Sequence, residues 1–344
     1  MMQRSHLFSC TLCSAMLPAA ASAANFQNSL LPAGPQSAHI HDLWWLTVAI
    51  CTFVFTAIVA ALLLALWRTP RAQALDAAGQ HAPAPVEHAA RRRVIVAISA
   101  SIALLLLLIV ASFFTDRALA SLDASNPVEI EVTGNQWWWE IRYTDKADPS
   151  RSFTTANELH IPVGQPIAVT LKSSDVIHSF WLPNLHGKKD MIPGRRTTLN
   201  LRADEPGVYR GQCAEFCGYQ HAHMAFLVTA ESAADFEAWS ERQRQPAAAP
   251  TDADASHGRE IFLSTTCIMC HAIQGTSASA RRGPDLTHVA SRSTLAAGAL
   301  ANNADNLESW IRDPQQHKPG ATMPGHILPR EDLHALATYL GGLK

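Results

Sequence analysis

Two clusters of potential metal ligands follow one another in the C-terminal half of the chain. The first, Cys213 to Met224, reads CAEFCGYQHAHM and offers two thiolates, an imidazole and a thioether within one short loop. Soft sulfur ligands combined with imidazole select copper over hard cations. The second, Cys267 to His271, reads CIMCH, the pattern of covalent c-type haem attachment. Copper followed by haem in one polypeptide predicts one-electron transfer.

The copper loop supplies most of a two-metal site by itself. Cys213 and Cys217 could each bridge two metals, and His221 and Met224 follow at short spacing. One further imidazole is needed, and His178 is the best candidate because it follows a predicted strand and precedes a turn. The alternatives are His160, His186 and His223. A closed zinc site of two Cys and two His competes with copper, but a thioether favours copper.

The haem motif predicts its own ligands. Cys267 and Cys270 would form thioethers to the haem, and His271 would be the proximal iron ligand. A redox or zinc-binding Cys pair is the competing interpretation, and the adjoining histidine argues against it. Met323 lies in a Pro/Gly-rich loop before the final helix and is the predicted sixth ligand, which would raise the iron potential. The alternatives are His288, His317 and His326.

Short extended segments precede and enclose the copper loop. Val128–Val132 alternates with period two, as a half-buried strand does. The further runs are Ile141–Tyr143, Glu158–Ile161, Ile167–Leu171, Thr197–Leu201, Gly207–Arg210 and Ala225–Thr229. Gly, Pro and Asp clusters separate them, so the sequence predicts an all-β sandwich with the copper loop between two of its strands.

The N-terminal part of the chain predicts export and membrane insertion. Residues 1–24 have a positive start, an apolar stretch and an A-x-A site, which are typical of a secretory signal peptide rather than of a third span. Two apolar runs, about 43–67 and 94–114, are each long enough to cross a hydrocarbon core, which takes roughly 20 helical residues. Because the loop between them is rich in arginine, it is expected to stay cytoplasmic, and everything after Phe114 is expected on the outer face.

Length and composition agree with a chain partly in lipid and partly in water. The 344 residues predict two or three domains, and only 16% are charged against 48% hydrophobic. The net charge of −2 gives no indication of nucleic-acid binding. The predicted division is a signal peptide at 1–24, a helix hairpin at 25–121, a copper domain at 122–240, a linker at 241–255 and a haem domain at 256–344.

Several segments resemble one known family. The copper region resembles subunit II of haem-copper cytochrome c oxidases, with its binuclear CuA domain, from about Leu43 to Phe236. The matching segments are Gly134–Tyr143, Ser174–Phe180, Asp190–Arg195 and the loop Cys213–Met224. Residues 256–344 resemble class I cytochrome c, in which the Pro284 carbonyl would orient His271. The resemblance implies a multidomain membrane protein with a two-helix transmembrane hairpin, an all-β cupredoxin-like sandwich and a small all-α cytochrome c domain.

The resemblance also implies site residues. The side chains expected to bind the two coppers of CuA are His178, Cys213, Cys217, His221 and Met224. The Glu215 backbone carbonyl would join them, and its side chain would reach an interfacial magnesium ion. Trp137, Trp138 and Trp139 resemble the aromatic patch where electrons enter, although strand packing explains them equally well. The family has a Glu at a proton channel near the second span; Glu87 lies nearby, but its surroundings differ from the family pattern.

The whole chain resembles a subunit II fused to a cytochrome c, as in cytochrome-caa-type oxidases. Electrons would pass from a cytochrome c or an upstream reductase through haem c and CuA to subunit I, where oxygen is reduced to water with proton translocation. Implied partners are subunits I and III and membrane lipid, in a bacterial inner membrane with both outer domains periplasmic. The alternatives are the electron-accepting subunit of a CuA-containing nitric oxide reductase and a copper delivery or sensing module. A quinol oxidase subunit is disfavoured because such proteins lack the copper ligands.

Overall fold

The structure, a computed structural model, describes residues 27–68, 84–121 and 125–344, with side chains from residue 88 onward in the second range. The predicted signal peptide at residues 1–24 and the side chain of Glu87 lie outside the described part. Both therefore stay predictions.

Two long apolar helices begin the described chain. They are α1 (Pro35–Arg68) and α2 (Ala84–Ala120), and their most apolar stretches have mean hydropathies of 2.7 and 3.1. Their apolar side chains are exposed, and helices of this length and composition can cross a membrane. The start of α1 rests on the next domain, because the Ser37 hydroxyl donates to the Asn184 carbonyl at 2.6 Å. Helix α1 begins at Pro35, eight residues before the predicted span at residue 43, and this first part packs on the β-sandwich domain.

A β-sandwich of two five-stranded sheets follows the helices. One sheet has the order β3-β2-β1-β5-β8 and the other β4-β10-β9-β6-β7. The strands are β1 (Val128–Asn135), β2 (Trp138–Thr144), β3 (Phe153–Ala156), β4 (Glu158–Pro162), β5 (Ile167–Ser173), β6 (His178–Trp181), β7 (Lys188–Met191), β8 (Thr197–Leu201), β9 (Gly207–Cys213) and β10 (Ala225–Glu231). Each predicted run lies within one of these strands, and the copper loop joins β9 to β10.

The sandwich has an aromatic core directly below the copper loop. Trp139, Phe180 and Phe226 are almost fully buried. The Trp139 ring lies edge-on to the other two, with ring centroids 6.1 Å and 5.2 Å away. Edge-to-face pairs of this kind add to the stabilisation from burial. The strands that carry the loop are thus held on a densely packed base.

The C-terminal domain is small and mainly helical. Helix α3 (Ala233–Arg244) closes the sandwich, and residues 245–252 lead to the next helix without regular secondary structure. The remaining elements are α4 (Ala253–Ser264), β11 (Thr294–Leu295), β12 (Leu300–Ala301), α5 (Ala304–Arg312), α6 (Pro314–His317) and α7 (Arg330–Gly341). Helices α4 and α7 pack together around Phe262, Leu336 and Tyr339. The predicted fold class, helix hairpin, β-sandwich and small helical domain, is confirmed.

Candidate metal centres

Backbone pairing brings His178 to the copper loop. Strand β6 begins at His178 and pairs with β9, with Phe180 opposite Cys213. The loop itself is closed at its base, because the Cys213 amide donates to the Met224 carbonyl at 2.9 Å. Since these ladders fix the backbone at both ends of the loop, the ligand side chains converge from rigid elements.

Five side chains form one donor cluster, in which His221 is half-buried and the other four are buried. The Cys213 and Cys217 sulfurs are 3.8 Å apart. His178 Nδ1 lies 3.8 Å from the Cys213 sulfur, and His221 Nδ1 lies 3.5 Å from the Cys217 sulfur. The Met224 sulfur is 3.8 Å from that of Cys217. A sulfur pair with an imidazole at each end fits copper by its chemistry.

Contact between the two thiols shifts their pKa values in opposite directions. The hydrogen bond from the Cys217 thiol, together with one to His178, lowers the pKa of Cys213 to about 3. The same contact with the Cys213 thiolate raises the pKa of Cys217 far above its ordinary value. Because metals bind thiolates, loading this pair displaces the remaining proton.

Asp175 orients His178. Asp175 Oδ1 lies 2.8 Å from His178 Nε2, and Asp175 Oδ2 accepts from the Gln136 amide at 2.7 Å. This contact makes Nε2 a donor to the carboxylate and turns Nδ1 towards the Cys213 sulfur, 3.8 Å away. Gly134 allows the ring this position, since a Cβ there would lie 2.8 Å from His178 Cδ2. Sequence reasoning missed Asp175, although a carboxylate three residues before a candidate ligand was a usable signal.

The alternative imidazoles have other surroundings. His160 Nδ1 lies 2.8 Å from Glu231 Oε1, and its ring stacks on Trp239 at 4.2 Å. His223 Nδ1 lies 2.8 Å from Gln220 Oε1. His186 lies in the turn after β6, where burial lowers its pKa to about 4. The structure brings only His178, of these four described histidines, into the sulfur cluster.

Glu215 presents two different groups. Its carbonyl oxygen lies 3.3 Å from the Cys213 sulfur, beside the donor cluster. Its carboxylate points outward, is 43% exposed and lies 3.4 Å from Lys188 Nζ. The same ammonium lies 3.3 Å from Asp190 Oδ1. A magnesium role for the Glu215 carboxylate stays a prediction.

The haem motif lines a cavity in the C-terminal domain. Cys267, Cys270 and His271 form part of its wall. His271 Nδ1 donates to the Pro284 carbonyl at 2.7 Å, as expected, and burial lowers the pKa of the ring. Because Nδ1 is engaged by this carbonyl, Nε2 is the ring nitrogen left to bind iron. Gly283 packs against it, because a Cβ there would lie 2.7 Å from His271 Cε1. These residues fit a covalently attached haem.

The structure narrows the choice of the sixth ligand of the haem iron. His288 is engaged at both ring nitrogens, by the Lys344 carbonyl at 2.9 Å and the Gln245 carbonyl at 3.0 Å. His317 Nε2 lies 2.7 Å from the Ser309 hydroxyl. Met323 and His326 both line the cavity. Met323 therefore stays the predicted sixth ligand, with His326 as the remaining alternative.

The three tryptophans have different environments. Trp139 belongs to the sandwich core, which is the packing role weighed from the sequence. Trp137 is also buried in this core, and both Trp137 and Trp138 line the haem cavity, although they belong to the copper domain. The cavity wall is therefore built by both domains.

Comparisons with known proteins agree with this architecture. Residues 146–231 match the family model of the cytochrome c oxidase subunit II periplasmic domain, and residues 255–344 match that of cytochrome c. The two domains imply copper and haem c as cofactors. A solved structure, the periplasmic domain of cytochrome oxidase subunit II from Bradyrhizobium japonicum, is 31% identical, with a TM-score of 0.33, and the match covers 35% of this chain and 96% of that one.

Full-length relatives extend the match to nearly the whole chain. Cytochrome c oxidase subunit 2 of Alkalihalophilus pseudofirmus is 37% identical over 317 residues, which cover 92% of this chain and 90% of the relative. The Bacillus subtilis protein of the same name is 34% identical over 232 residues, or 64% of either chain. The resemblance inferred from the motifs is confirmed. The chain belongs to the cytochrome c oxidase subunit 2 family, in a form that carries a C-terminal cytochrome c domain.

Proposed function

We propose that this chain accepts electrons on haem c and passes them through a binuclear copper centre to the haem-copper subunit I of a terminal oxidase. Oxygen is reduced there, so this subunit transfers electrons and breaks no substrate bond. The observation that supports the proposal most directly is the sulfur pair of Cys213 and Cys217, 3.8 Å apart, with one imidazole at each end.

In this function the copper pair supplies one-electron redox chemistry, and the protein keeps its ligands still. His178, Cys213, Cys217, His221 and Met224 would bind through their side chains. Glu215 would bind through its carbonyl oxygen, which lies 3.3 Å from the Cys213 sulfur. Because β6, β9 and β10 hold these residues, little rearrangement is needed when the charge of the site changes.

On the haem side, Cys267 and Cys270 would form the thioethers, and His271 and Met323 would bind the iron. The Pro284 carbonyl keeps the His271 ring in one orientation. The mostly apolar cavity wall would limit access of water to the haem, and ligation by Met323 would raise the iron potential.

Several partners follow from the family. Helices α1 and α2 would anchor the chain in the bacterial inner membrane against subunit I, with subunit III nearby and both outer domains periplasmic. The exposed Glu215 carboxylate is a candidate for the interfacial magnesium ion. A cytochrome c or an upstream reductase would reduce the haem.

The test uses the complete oxidase purified from membranes. We expect two coppers per covalent haem c, a mixed-valence copper signal, and oxygen uptake driven by a reduced donor. His178→Asn should remove copper and oxygen uptake, whereas the matched control His223→Asn should retain both. Zinc or a single copper per chain would contradict the binuclear centre. Uptake of nitric oxide without oxygen uptake would assign the chain to a nitric oxide reductase.

A further inference from the structure

A buried carboxylate of the copper domain binds the haem domain. Glu158, at the start of β4, is 8% exposed. Its Oε1 accepts from the Ser293 amide at 2.9 Å, the Ser293 hydroxyl at 2.8 Å, the Thr294 amide at 3.0 Å and the Thr294 hydroxyl at 3.2 Å. A carboxylate buried away from water is stable only when it is hydrogen-bonded in this way.

A buried lysine makes the reciprocal contact. Lys318 of the haem domain is 3% exposed. Its Nζ donates to the Trp137 carbonyl at 2.7 Å in the copper domain and to the Ala296 carbonyl at 2.9 Å in its own domain. Each domain therefore places one buried ionisable side chain in hydrogen-bond contact with backbone groups of the other domain.

The two contacts flank the shared cavity wall. Thr294, Ala296 and Lys318 line the haem cavity together with Trp137 and Trp138. Backbone and amide contacts continue the interface on the same side. These are the Ala225 amide with the Ala297 carbonyl at 3.0 Å and Gln220 Nε2 with the Pro319 carbonyl at 2.7 Å.

A tether alone does not provide this geometry. Residues 245–252 keep the haem domain at a high effective concentration, but a covalent connection by itself does not select which face of the haem domain packs against the copper domain. Buried polar groups with specific hydrogen-bond partners favour one packed orientation, because an orientation that buries them without these partners leaves them desolvated and unpaired.

We propose that Glu158 and Lys318 are positioning residues that hold the haem domain in one orientation, with Trp137 and Trp138 closing the haem cavity on the side of the copper loop. The inference rests on the proposed function. In the step concerned, one electron would pass from ferrous haem to the copper centre, which would leave ferric haem and reduced copper with no bond formed or broken. The docked orientation makes this step independent of domain movement.

The test compares Glu158→Gln and Lys318→Met with Glu129→Gln and Lys146→Met in the complete oxidase. The control residues form an exposed ion pair on the copper domain, outside the interface. The first readout is hydrogen–deuterium exchange at the Ser293 and Thr294 amides, which bind Glu158. The second is the rate of electron transfer from haem c to copper after photoreduction, measured together with both midpoint potentials and the metal content.

We expect Glu158→Gln and Lys318→Met to accelerate exchange at these amides about tenfold or more and to slow the transfer by a similar factor. Potentials, metal content and exchange in β10 should stay unchanged, and the controls should match the parent protein. Unchanged exchange and rate in both variants would overturn the proposal, as would a slower rate that arises only from lost metal or shifted potentials. If the parent protein itself transfers no electron from haem to copper, the proposed function fails, while the exchange result still reports on docking.

Discussion

The indole nitrogen of Trp137 donates a hydrogen bond to the carbonyl oxygen of Cys217 at 2.9 Å. The Trp137 ring lines the haem cavity, and Cys217 belongs to the sulfur pair of the copper loop. Gln136 Nε2 donates to the same carbonyl at 2.7 Å. Trp137 thus connects the wall of the haem cavity to the backbone of the copper loop.

Replacement of Trp137 by Phe should slow electron transfer from haem c to copper several-fold while copper stays bound. The substitution retains an aromatic ring but removes the donor, and the loss of such a bond costs about 1 kcal/mol. Transient absorbance after photoreduction of the haem measures the rate. Trp138→Phe is the control, because Trp138 lines the same cavity. Equal electron-transfer rates in the two variants would contradict a contribution of the Trp137–Cys217 hydrogen bond to this transfer.

Gly134→Ala should lower copper affinity by about 10- to 100-fold, the effect typical of disturbing a residue that orients a ligand. The added Cβ would lie 2.8 Å from His178 Cδ2, so the imidazole has to move away from the sulfurs. The ratio of copper to haem in a chelator titration measures this change. Gly341→Ala is the control, since a Cβ there meets no atom within 4 Å. Undiminished copper retention would contradict a fixed position of His178.

Met323→Ala should lower the haem midpoint potential and abolish the absorbance of a thioether-to-iron bond, because methionine ligation raises the potential. His326→Ala should leave both properties unchanged, although His326 lines the same cavity. Redox titration with visible spectra measures the two variants. If His326→Ala changed both properties and Met323→Ala changed neither, His326 would be the iron ligand.

Lys318 should make the docked structure more stable as the pH rises from about 7 towards 10.5. Burial lowers the pKa of Lys318 from 10.5 to about 7, with the nearby Cys217 sulfur acting in the opposite direction. Between these values the unfolded chain holds the proton and the native chain does not, so stability is gained with rising pH and lost as the pH falls towards 7.

Thermal unfolding of the complete oxidase between pH 7 and pH 9 checks this dependence. The parent protein should gain stability relative to Lys318→Met, in which the titrating group is absent. Lys146→Met should behave like the parent, because Lys146 is exposed and paired with Glu129. Parallel pH profiles for the parent and Lys318→Met would contradict a lowered pKa.

The sequence by itself determined the chemistry of this protein. Candidate metal ligands that lie in one short loop can be recognised from their spacing in the sequence alone. The segments Cys213 to Met224 and Cys267 to His271 could therefore be interpreted without coordinates. The strands and the two membrane helices could also be predicted, because side-chain periodicity and the length of an apolar run are properties of short sequence segments.

Only the tertiary structure decided which distant residues meet. The sequence pattern ranked His178 first but left His160, His186 and His223 as alternatives, and the pairing of strands β6 and β9 is what brings His178 to the copper loop. Nor could sequence show that Glu158 meets Ser293, 135 residues away, or that Lys318 meets Trp137, 181 residues away. A buried charge is stable only where its partners converge, and that convergence depends on how two separately folded domains pack against each other.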